Sequence, residues 1–221
     1  MKYIQYLIEE ITKKQNKFEE IHKDTDLIEK HKVPTLHTET LAYTKSAKKL
    51  NTKLWDDKKY GDLSDSTLTK IKKIHDNLDT AKKASQDFHV FSGVRRDPQE
   101  LVKDSSGILH HPAFLSTTSE PDVALRFTKP INDINHVLRI KVRKGQNVGG
   151  YIANNSEHES EKEFLIKSNQ VLHINQTPTD FINNEGKKIR IHDAIILNKK
   201  ELDKEIEHPE IQSKLDFDER L

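Results

Sequence analysis

The stretch SEKEFLI, residues 160–166, places two glutamates, Glu161 and Glu163, directly before three apolar residues. The apolar run predicts a strand, and in an extended chain residues two apart project from the same face. Both carboxylates are therefore expected to point into one space, where like charges raise each other's pKa. Such a pair is tolerated where it performs chemistry or where a cation lies between the two groups. The alternative is a solvated strand edge, where charges discourage aggregation.

The composition excludes several classes of function. The 221 residues suit one sizeable domain, or a compact domain with an extension. The net charge of +1 provides no global field for nucleic acid or an anionic membrane. The absence of cysteine excludes disulfides and thiol catalysis. Because no apolar run suits a membrane span or a cleaved leader, we expect a soluble chain, with export by a signal-less route left open.

The first third of the chain has helical periodicity. Apolar residues predict an amphipathic helix near residues 4–21 and a second helix from about Thr38 to Asp57. A third helix is expected to begin near Ser64 or Asp65, since either residue is a good N-cap. Its apolar stripe consists of Leu68, Ile71, Ile74, Leu78 and Ala81.

After Ser85 the pattern changes to short strands separated by Gly, Pro, Asn and Asp. The predicted strands are FHVFSGV, AFLSTT, HVLRIKV, GGYIA, EFLIK, QVLHI and IRIHDAIIL, with short helices at PQELVKD and EPDVALRF. The fold class is therefore α+β, with a helical N-terminal part packed on a β-rich core. The expected divisions are a helical extension at 1–32, a domain at 33–198 whose helices occupy 33–84 and whose core occupies 85–198, and a charged tail at 199–221.

Three stretches of the β-rich part contain residues that can carry chemistry. In VFSGVRRDP, Gly93 follows a strand and lets a ligand approach the backbone, with Arg95 and Arg96 just beyond. In FLSTTSEPDVALRF, a strand ends in three hydroxyl residues, 116–118. The third stretch is the glutamate pair. Each has a structural alternative: a glycine bulge with surface arginines, a strand end that leads into a helix N-cap, or a charged edge.

Together, the three stretches resemble the motifs of mono-ADP-ribosyltransferases of the arginine–serine–glutamate class, which includes binary-toxin enzymatic components, vertebrate ecto-transferases and phage-encoded enzymes. The family pattern is an aromatic-Arg-Gly strand, a Ser-Thr-Ser strand followed by a short helix ending in an aromatic residue, and Glu-x-Glu entering a strand. The segments LAYTKSAKKLNTKLW and GQNVGGYIANNSEHESEKEFLI also match. The resemblance covers roughly residues 33–198 and implies a two-sheet core. The matching residues are Phe91-Ser92-Gly93, Ser116-Thr117-Thr118 with Phe127, and Glu161-Lys162-Glu163.

The resemblance implies that NAD is the substrate and that the glutamates and Ser116 are catalytic. Breaking the bond between nicotinamide and ribose develops positive charge on the ribose, and a fixed carboxylate stabilises that charge. By resemblance this carboxylate is Glu163, and Ser116 holds it in position. Glu161 would orient or deprotonate the incoming nucleophile, and a glutamate at this place goes with arginine as the acceptor.

The remaining motif residues are implied to bind NAD. Gly93 would offer its backbone to the nicotinamide amide, and Ser116, Thr117 and Thr118 of the hydroxyl strand would also bind the substrate. Either Phe127 or Tyr151 would stack on the nicotinamide ring.

One departure from the family pattern concerns the binding of the NAD pyrophosphate. Ser92 stands where the family has arginine, whose planar fork of donors suits a phosphate clamp. Either Arg95 or Arg96 is expected to reach the phosphates instead; otherwise NAD binding is impaired. Thr118 also stands where serine is usual, although the hydroxyl is retained.

The implied partners are NAD and a host protein acceptor, with transcription machinery as a candidate if the chain is phage-encoded. We expect no membrane or nucleic-acid partner, and a location in the cytoplasm of a host bacterium. No metal is expected, because the histidines, including His110 and His111, show no metal-site spacing and are interpreted as loop polarity. Two alternatives stay open: an NAD glycohydrolase toxin, and a transferase-like binding module that has lost activity because of Ser92.

Overall fold

The structure is a computed structural model that describes residues 24–56, 63–102, 106–153 and 158–198. The helix predicted near residues 4–21 and the charged tail at 199–221 lie outside the described residues, and the predicted domain boundaries stay predictions. Within the described ranges, no helix has both the length and the apolar character needed to cross a membrane.

Three helices precede the first strand of the described chain. They are α1 (Thr25–Glu29), α2 (Thr38–Asp56) and α3 (Asp65–Leu78). The second and third confirm the predicted positions. Ser64 is the N-cap of α3, because its side chain accepts a hydrogen bond from the backbone N–H of Thr67 at 3.4 Å. Helix α2 contains a kink at Ser46, whose φ and ψ are not helical.

The helices α2 and α3 form a layer over one face of the sheet. Their buried side chains join apolar residues of the β-rich part in one cluster. The expected stripe of α3 is confirmed, since Ile71, Ile74 and Leu78 are buried. The sheet and its flanking loops contribute Ala113, Phe114, Ile152 and Leu165 to this cluster. Burial of this apolar surface attaches the helical part to the core.

Nine strands form one hydrogen-bonded sheet in the described part of the chain. The strands are β1 (Phe88–Val94), β2 (Ile108–His111), β3 (Leu115–Thr118), β4 (Ile134–Val142), β5 (Gly149–Tyr151), β6 (Glu163–Ile166), β7 (Gln170–Ile174), β8 (Thr179–Ile182) and β9 (Lys188–Ile196). Their spatial order is β2-β7-β9-β4-β1-β3-β6-β5, and β8 pairs with β9 beside that path. Two short helices, α4 (Pro98–Leu101) and α5 (Pro121–Arg126), follow β1 and β3 respectively.

The sheet has two halves that meet at β1 and β3. Strands β1 and β4 pair over seven residue pairs, whereas the register of β1 with β3 contains the single pair Phe91 and Thr118. On its other edge, β3 pairs with β6, and β6 pairs in turn with β5. The two sheets implied by the resemblance correspond to these two halves. The short pairing of β1 with β3 joins them into one hydrogen-bonded sheet. The predicted α+β class is confirmed.

Two of the strands, β2 and β8, were not predicted. Strand β2 contains His110 and His111, so their interpretation as loop polarity is wrong. The ring of His111 is buried, its Nδ1 hydrogen-bonds the carbonyl of Ala113 at 2.8 Å, and burial lowers its pKa to about 4. In β8 only Phe181 is buried, so the strand has little apolar signal. Both strands depend on their partners β7 and β9 rather than on their own sequence pattern.

Strand β6 anchors the glutamate segment because both of its faces are buried. Phe164 and Ile166 pack in the cluster that includes Phe88 and Val90, on the face opposite the helices. Leu165 points the other way, into the cluster formed with α2 and α3. All four residues of β6, including Glu163, are buried. A strand fixed on both faces holds its first residue rigidly.

We predict that Ile166→Ala lowers the free energy of unfolding by about 2–5 kcal/mol, because a fully buried side chain is replaced by a cavity. Ile182→Ala is the matched control, since Ile182 lies on a strand but is 57% exposed, and its loss is expected to cost under about 1 kcal/mol. Urea denaturation followed by far-UV circular dichroism measures both values. Equal losses in the two variants would contradict the central position of β6.

Candidate active site

The three predicted motifs lie on adjacent strands of the sheet. Phe91 of β1 pairs with Thr118 of β3, and Thr118 pairs in turn with Glu163 of β6. The glycine stretch, the hydroxyl stretch and the glutamate stretch therefore meet in space, although they are far apart in the chain. Because paired residues share a face of the sheet, Ser116, Thr118 and Glu163 project from the same side.

Glu163 is a buried carboxyl group at the start of β6. It is 8% exposed, and burial raises its pKa to about 7. A hydrogen bond from the Ser116 hydroxyl opposes this rise, and the negative charge of Glu161 adds to it. A carboxyl group that titrates near neutrality beside a second carboxylate is typical of a site that performs chemistry.

Ser116 belongs to a chain of polar side chains that begins on α2. Asn51 donates from Nδ2 to the hydroxyl of Tyr43 at 3.0 Å and to the carbonyl of Phe114 at 3.1 Å. The Tyr43 hydroxyl in turn hydrogen-bonds Ser116. Burial and the charge of Glu163 raise the pKa of Tyr43, which keeps its hydroxyl protonated. Each hydroxyl has one proton, so the chain is satisfied when Tyr43 donates to Ser116 and Ser116 donates to Glu163.

Tyr43 and Asn51 were quoted in the helix segment of the resemblance but received no role from the sequence. They lie on α2, which is far from the glutamates in the chain. In the sequence, the one indication of a role for them was that a tyrosine and an asparagine lie on the same predicted helix. That composition is ordinary for a helix. The contact with Ser116 appears once α2 packs on the sheet.

Glu161 does not continue the strand of Glu163. It ends a 3₁₀ turn at Glu159–Glu161, and Lys162 follows in the left-handed conformation, with φ 49° and ψ 42°. The expectation of an extended Glu161-Lys162-Glu163 segment is therefore wrong. The two carboxylates are nevertheless close enough for Glu161 to raise the pKa of Glu163, because the left-handed residue turns the chain back. Lys162 itself pairs with Glu29 of α1 at 3.5 Å.

Gly93 is required for a close contact between β1 and α5. A Cβ atom at this position would lie 2.0 Å from the backbone oxygen of Ala124. Its absence lets α5 pack directly on the strand. Phe127, which caps the C-terminal end of α5, is 43% exposed. Of the two rings expected to stack on a ligand, that of Phe127 is accessible.

Three of the predicted binding residues have structural partners. Tyr151 is 1% exposed and packs beside Phe164, on the face opposite Glu163, so its ring cannot stack on a ligand in the site. Thr117 is buried and donates to the carbonyl of Phe164 at 2.5 Å. The Thr118 hydroxyl accepts from the backbone N–H of Glu120 at 3.1 Å, just before α5. The predicted roles of Tyr151 and Thr117 in binding are corrected accordingly.

Ser92 braces β1 against β3. Its side chain is buried, and its hydroxyl donates to the backbone carbonyl of Ser116 at 3.0 Å. This hydrogen bond is next to the pairing of Phe91 with Thr118, which is the one register pair of the two strands. Arg95 and Arg96 follow the end of β1 and are exposed, with no hydrogen bond or ion pair to any residue of the described ranges. Their guanidinium groups are therefore accessible to an anion.

The geometry predicts how stability depends on pH. The pKa of Glu163 is raised from 4.5 to about 7, so the folded state holds this proton more tightly and loses stability as the pH rises between these values. We expect Glu163→Gln to match the wild type near pH 4 and to exceed its free energy of unfolding by about 3 kcal/mol at pH 8. Denaturant titrations at successive pH values measure this difference.

Glu185→Gln is the control for this measurement. Glu185 is exposed, and its hydrogen bond with Lys187 lowers its pKa, so removing the carboxylate should cause a small loss of stability above pH 4.5. A flat difference for Glu163→Gln across this pH range would show that the folded protein does not raise the pKa of Glu163.

Comparisons with known proteins were made for sequence families and for solved structures. Residues 37–199 match the family model described as ADP-ribosyltransferase exoenzyme. A comparison with curated proteins finds no match. The family match includes every strand of the described ranges and the three motifs, so it covers the site as well as the fold.

Several solved structures share this fold. Plx2a, an ADP-ribosyltransferase toxin from Paenibacillus larvae, is 18% identical with a TM-score of 0.57 over 82% of this chain and 97% of that chain. Exoenzyme S from Pseudomonas aeruginosa, solved in complex with human 14-3-3 protein beta and bound to carba-NAD, is 17% identical with a TM-score of 0.53 over 86% and 87%. C3stau2 from S. aureus, solved with NAD, is 15% identical with a TM-score of 0.54 over 86% and 95%.

Proposed function

The chain belongs to the ADP-ribosyltransferase exoenzyme family, and we propose that its own reaction moves ADP-ribose from NAD to an arginine of a protein and releases nicotinamide. The observation that carries this proposal is the buried Glu163 carboxyl group, which Ser116 hydrogen-bonds and which lies close to Glu161. Exoenzyme S and C3stau2 were solved with an NAD analogue and with NAD, which supports NAD as the substrate here.

Glu163 is proposed to act on the ribose of NAD. When the bond between the nicotinamide nitrogen and the ribose breaks, the electron pair leaves with neutral nicotinamide and positive charge develops on the ribose. A carboxylate in a buried position stabilises this charge more strongly than one in water. The hydrogen bond from Ser116 favours the ionised form of Glu163 and fixes its orientation. Tyr43 and Asn51 hold Ser116 from the helical layer.

Glu161 is proposed to prepare the acceptor. It is half-buried at the end of the 3₁₀ turn, so it lies nearer to solvent than Glu163 does. A carboxylate here can orient the guanidinium group of an arginine and accept its proton as the new bond to ribose forms. The resemblance implies the same acceptor. The buried carboxylate of Glu163 is therefore assigned to the ribose, and the more accessible carboxylate of Glu161 is assigned to the acceptor.

Phe127, Arg95 and Arg96 are proposed to bind NAD. The exposed Phe127 ring can stack on the nicotinamide. The two accessible arginines can replace the family's clamp on the pyrophosphate, since Ser92 is directed to the carbonyl of Ser116. Two observations favour the alternative functions. The absence of a phosphate-binding arginine at position 92 favours an inactive binding module. The access of water to Glu161 favours an NAD glycohydrolase.

Incubation with labelled NAD and cell lysate tests the function. Label on protein supports the transferase, free ADP-ribose without protein label supports the glycohydrolase, and neither supports the binding module. Mass spectrometry of the modified band identifies the acceptor protein and residue. Modification of a residue other than arginine would overturn the proposed acceptor while leaving the transferase intact.

The two glutamates are expected to respond differently to substitution. Glu163→Gln should lower both transfer and NAD hydrolysis about a hundredfold or more, because it removes the charge that faces the ribose. Glu161→Gln should lower transfer to a small guanidino acceptor far more than hydrolysis, since water needs less positioning than a guanidinium group. Glu159→Gln, an exposed change in the same turn, is the control. Parallel loss of both activities in Glu161→Gln would assign Glu161 to NAD cleavage.

The arginine that binds the pyrophosphate can be identified by calorimetric titration with NAD. We expect either Arg95→Ala or Arg96→Ala to raise the Kd about tenfold to a hundredfold, since a charge-assisted bond to phosphate contributes roughly 1.5–3 kcal/mol. Lys188→Ala removes an exposed charge from β9 and should leave the Kd unchanged. If neither arginine variant weakens binding and Ser92→Arg strengthens it, the wild type lacks the clamp.

A further inference from the structure

Two histidines and an aspartate meet at the end of the sheet that contains the last residues of β1. His136 lies on β4, His192 lies on the neighbouring parallel strand β9, and Asp97 is the N-cap of α4. One nitrogen of each ring and one carboxylate oxygen lie within 4.8 Å of one another. Both histidines are buried, whereas Asp97 is partly accessible. The cluster belongs to none of the three motifs described above.

The distances within the cluster match those of a metal site. His136 Nδ1 lies 3.0 Å from His192 Nε2, and Asp97 Oδ1 lies 3.9 Å and 3.8 Å from these two atoms. The point equidistant from the three atoms is about 2.1 Å from each, and bonds from Zn²⁺ to imidazole nitrogen and carboxylate oxygen are about 2.0–2.2 Å long. An ion of this size can therefore contact all three atoms with small movements.

Hydrogen bonding alone leaves the cluster incompletely satisfied. The two rings share one hydrogen bond, but Asp97 is too far from either ring to accept another. The carboxylate is oriented by the backbone N–H of Gln99, which donates to Oδ1 at 2.9 Å. A bound ion would replace the hydrogen bond between the two rings with one coordination bond to His136 Nδ1 and one to His192 Nε2.

The electrostatic surroundings suit a cation. Burial lowers the pKa of both histidines, that of His192 to about 4, so both rings are neutral near pH 7. One of the two facing nitrogens carries the proton of the hydrogen bond between the rings, so metal binding requires that this ring holds its proton on its other nitrogen instead. Arg190 is the cation nearby that opposes binding, but Asp180 forms two hydrogen bonds with it, at 2.7 and 2.8 Å. Glu100 adds a further negative charge near His136.

We propose that Asp97, His136 and His192 bind one divalent transition-metal ion, with Zn²⁺ as the best fit to two imidazoles and a carboxylate. The ion would hold the N-terminus of α4 against β4 and β9. Because Arg95 and Arg96 precede Asp97 directly, it would also fix the turn that contains them. No spacing pattern in the sequence indicates this site, since the three residues are far apart in the chain and become neighbours through the pairing of β1 with β4 and of β4 with β9.

The proposal is tested with Zn²⁺ alone on the full-length protein after treatment with a chelator. Isothermal titration is expected to show one saturable site in the wild type, and His136→Ala and His192→Ala should abolish it. Asp97→Asn should weaken binding at least tenfold. This variant keeps a side chain that can cap α4, so it remains informative if the buried histidine variants fail to fold.

His89→Ala is the matched control, because His89 also pairs with an aspartate, Asp24, at 3.2 Å but has no third ligand in the described part of the chain. It should retain wild-type binding. Co²⁺ in place of Zn²⁺ should give the visible absorption of a four-coordinate ion in the wild type, and Asp97→Asn should need at least tenfold more Co²⁺ to reach it. Absence of a saturable site in the wild type, or unchanged binding in Asp97→Asn, would overturn the proposal.

Discussion

The pairing of β3 with both β1 and β6 is the interaction on which the site depends. Strand β3 is only four residues long, yet it joins the two halves of the sheet and places Ser116 beside Glu163. Its contact with β1 has one register pair, supplemented by the hydrogen bond from Ser92 to the Ser116 carbonyl. Residues from three distant parts of the sequence become neighbours because this short strand lies in the middle.

The burial of Glu163 has a cost in stability that the helical layer helps to offset. An ionised carboxylate away from water is unfavourable, and here it also lies near Glu161. The opposing contribution comes from Ser116, which Tyr43 and Asn51 hold from α2. The helices are thus more than a cover for the sheet. They provide the far end of the hydrogen-bonded chain that keeps the carboxylate in place, so the position of the Glu163 side chain depends on residues of α2.

Much of the fold was predictable because its signals are local. The periodicity of α3, its Ser64 cap and the apolar runs of the seven predicted strands all lie within short windows. Strands β2 and β8 were missed because their stability comes from neighbours. The family was recognised from the order of three short motifs, and the family match confirms it.

The details of the site were less predictable, for reasons specific to individual residues. The side chain of Tyr151 points away from Glu163 because of its register with Phe164, and register is a property of pairing rather than of a single strand. The turn before Glu163 depends on a left-handed backbone at a lysine, which no composition rule indicates. Tyr43 and Asn51 reach the site through the packing of α2, whose contacts with β3 are long-range.

Because of the close contact at Gly93, β1 and α5 are expected to move together. With the oxygen of Ala124 2.0 Å from where a Cβ atom would lie, a methyl group could enter only if the helix moved outward. Phe127 caps that helix, so its exposed ring would move with it. The orientation of the exposed Phe127 ring is therefore set by the smallest residue of β1, and a substitution at Gly93 would be transmitted to the ring through a rigid displacement of α5.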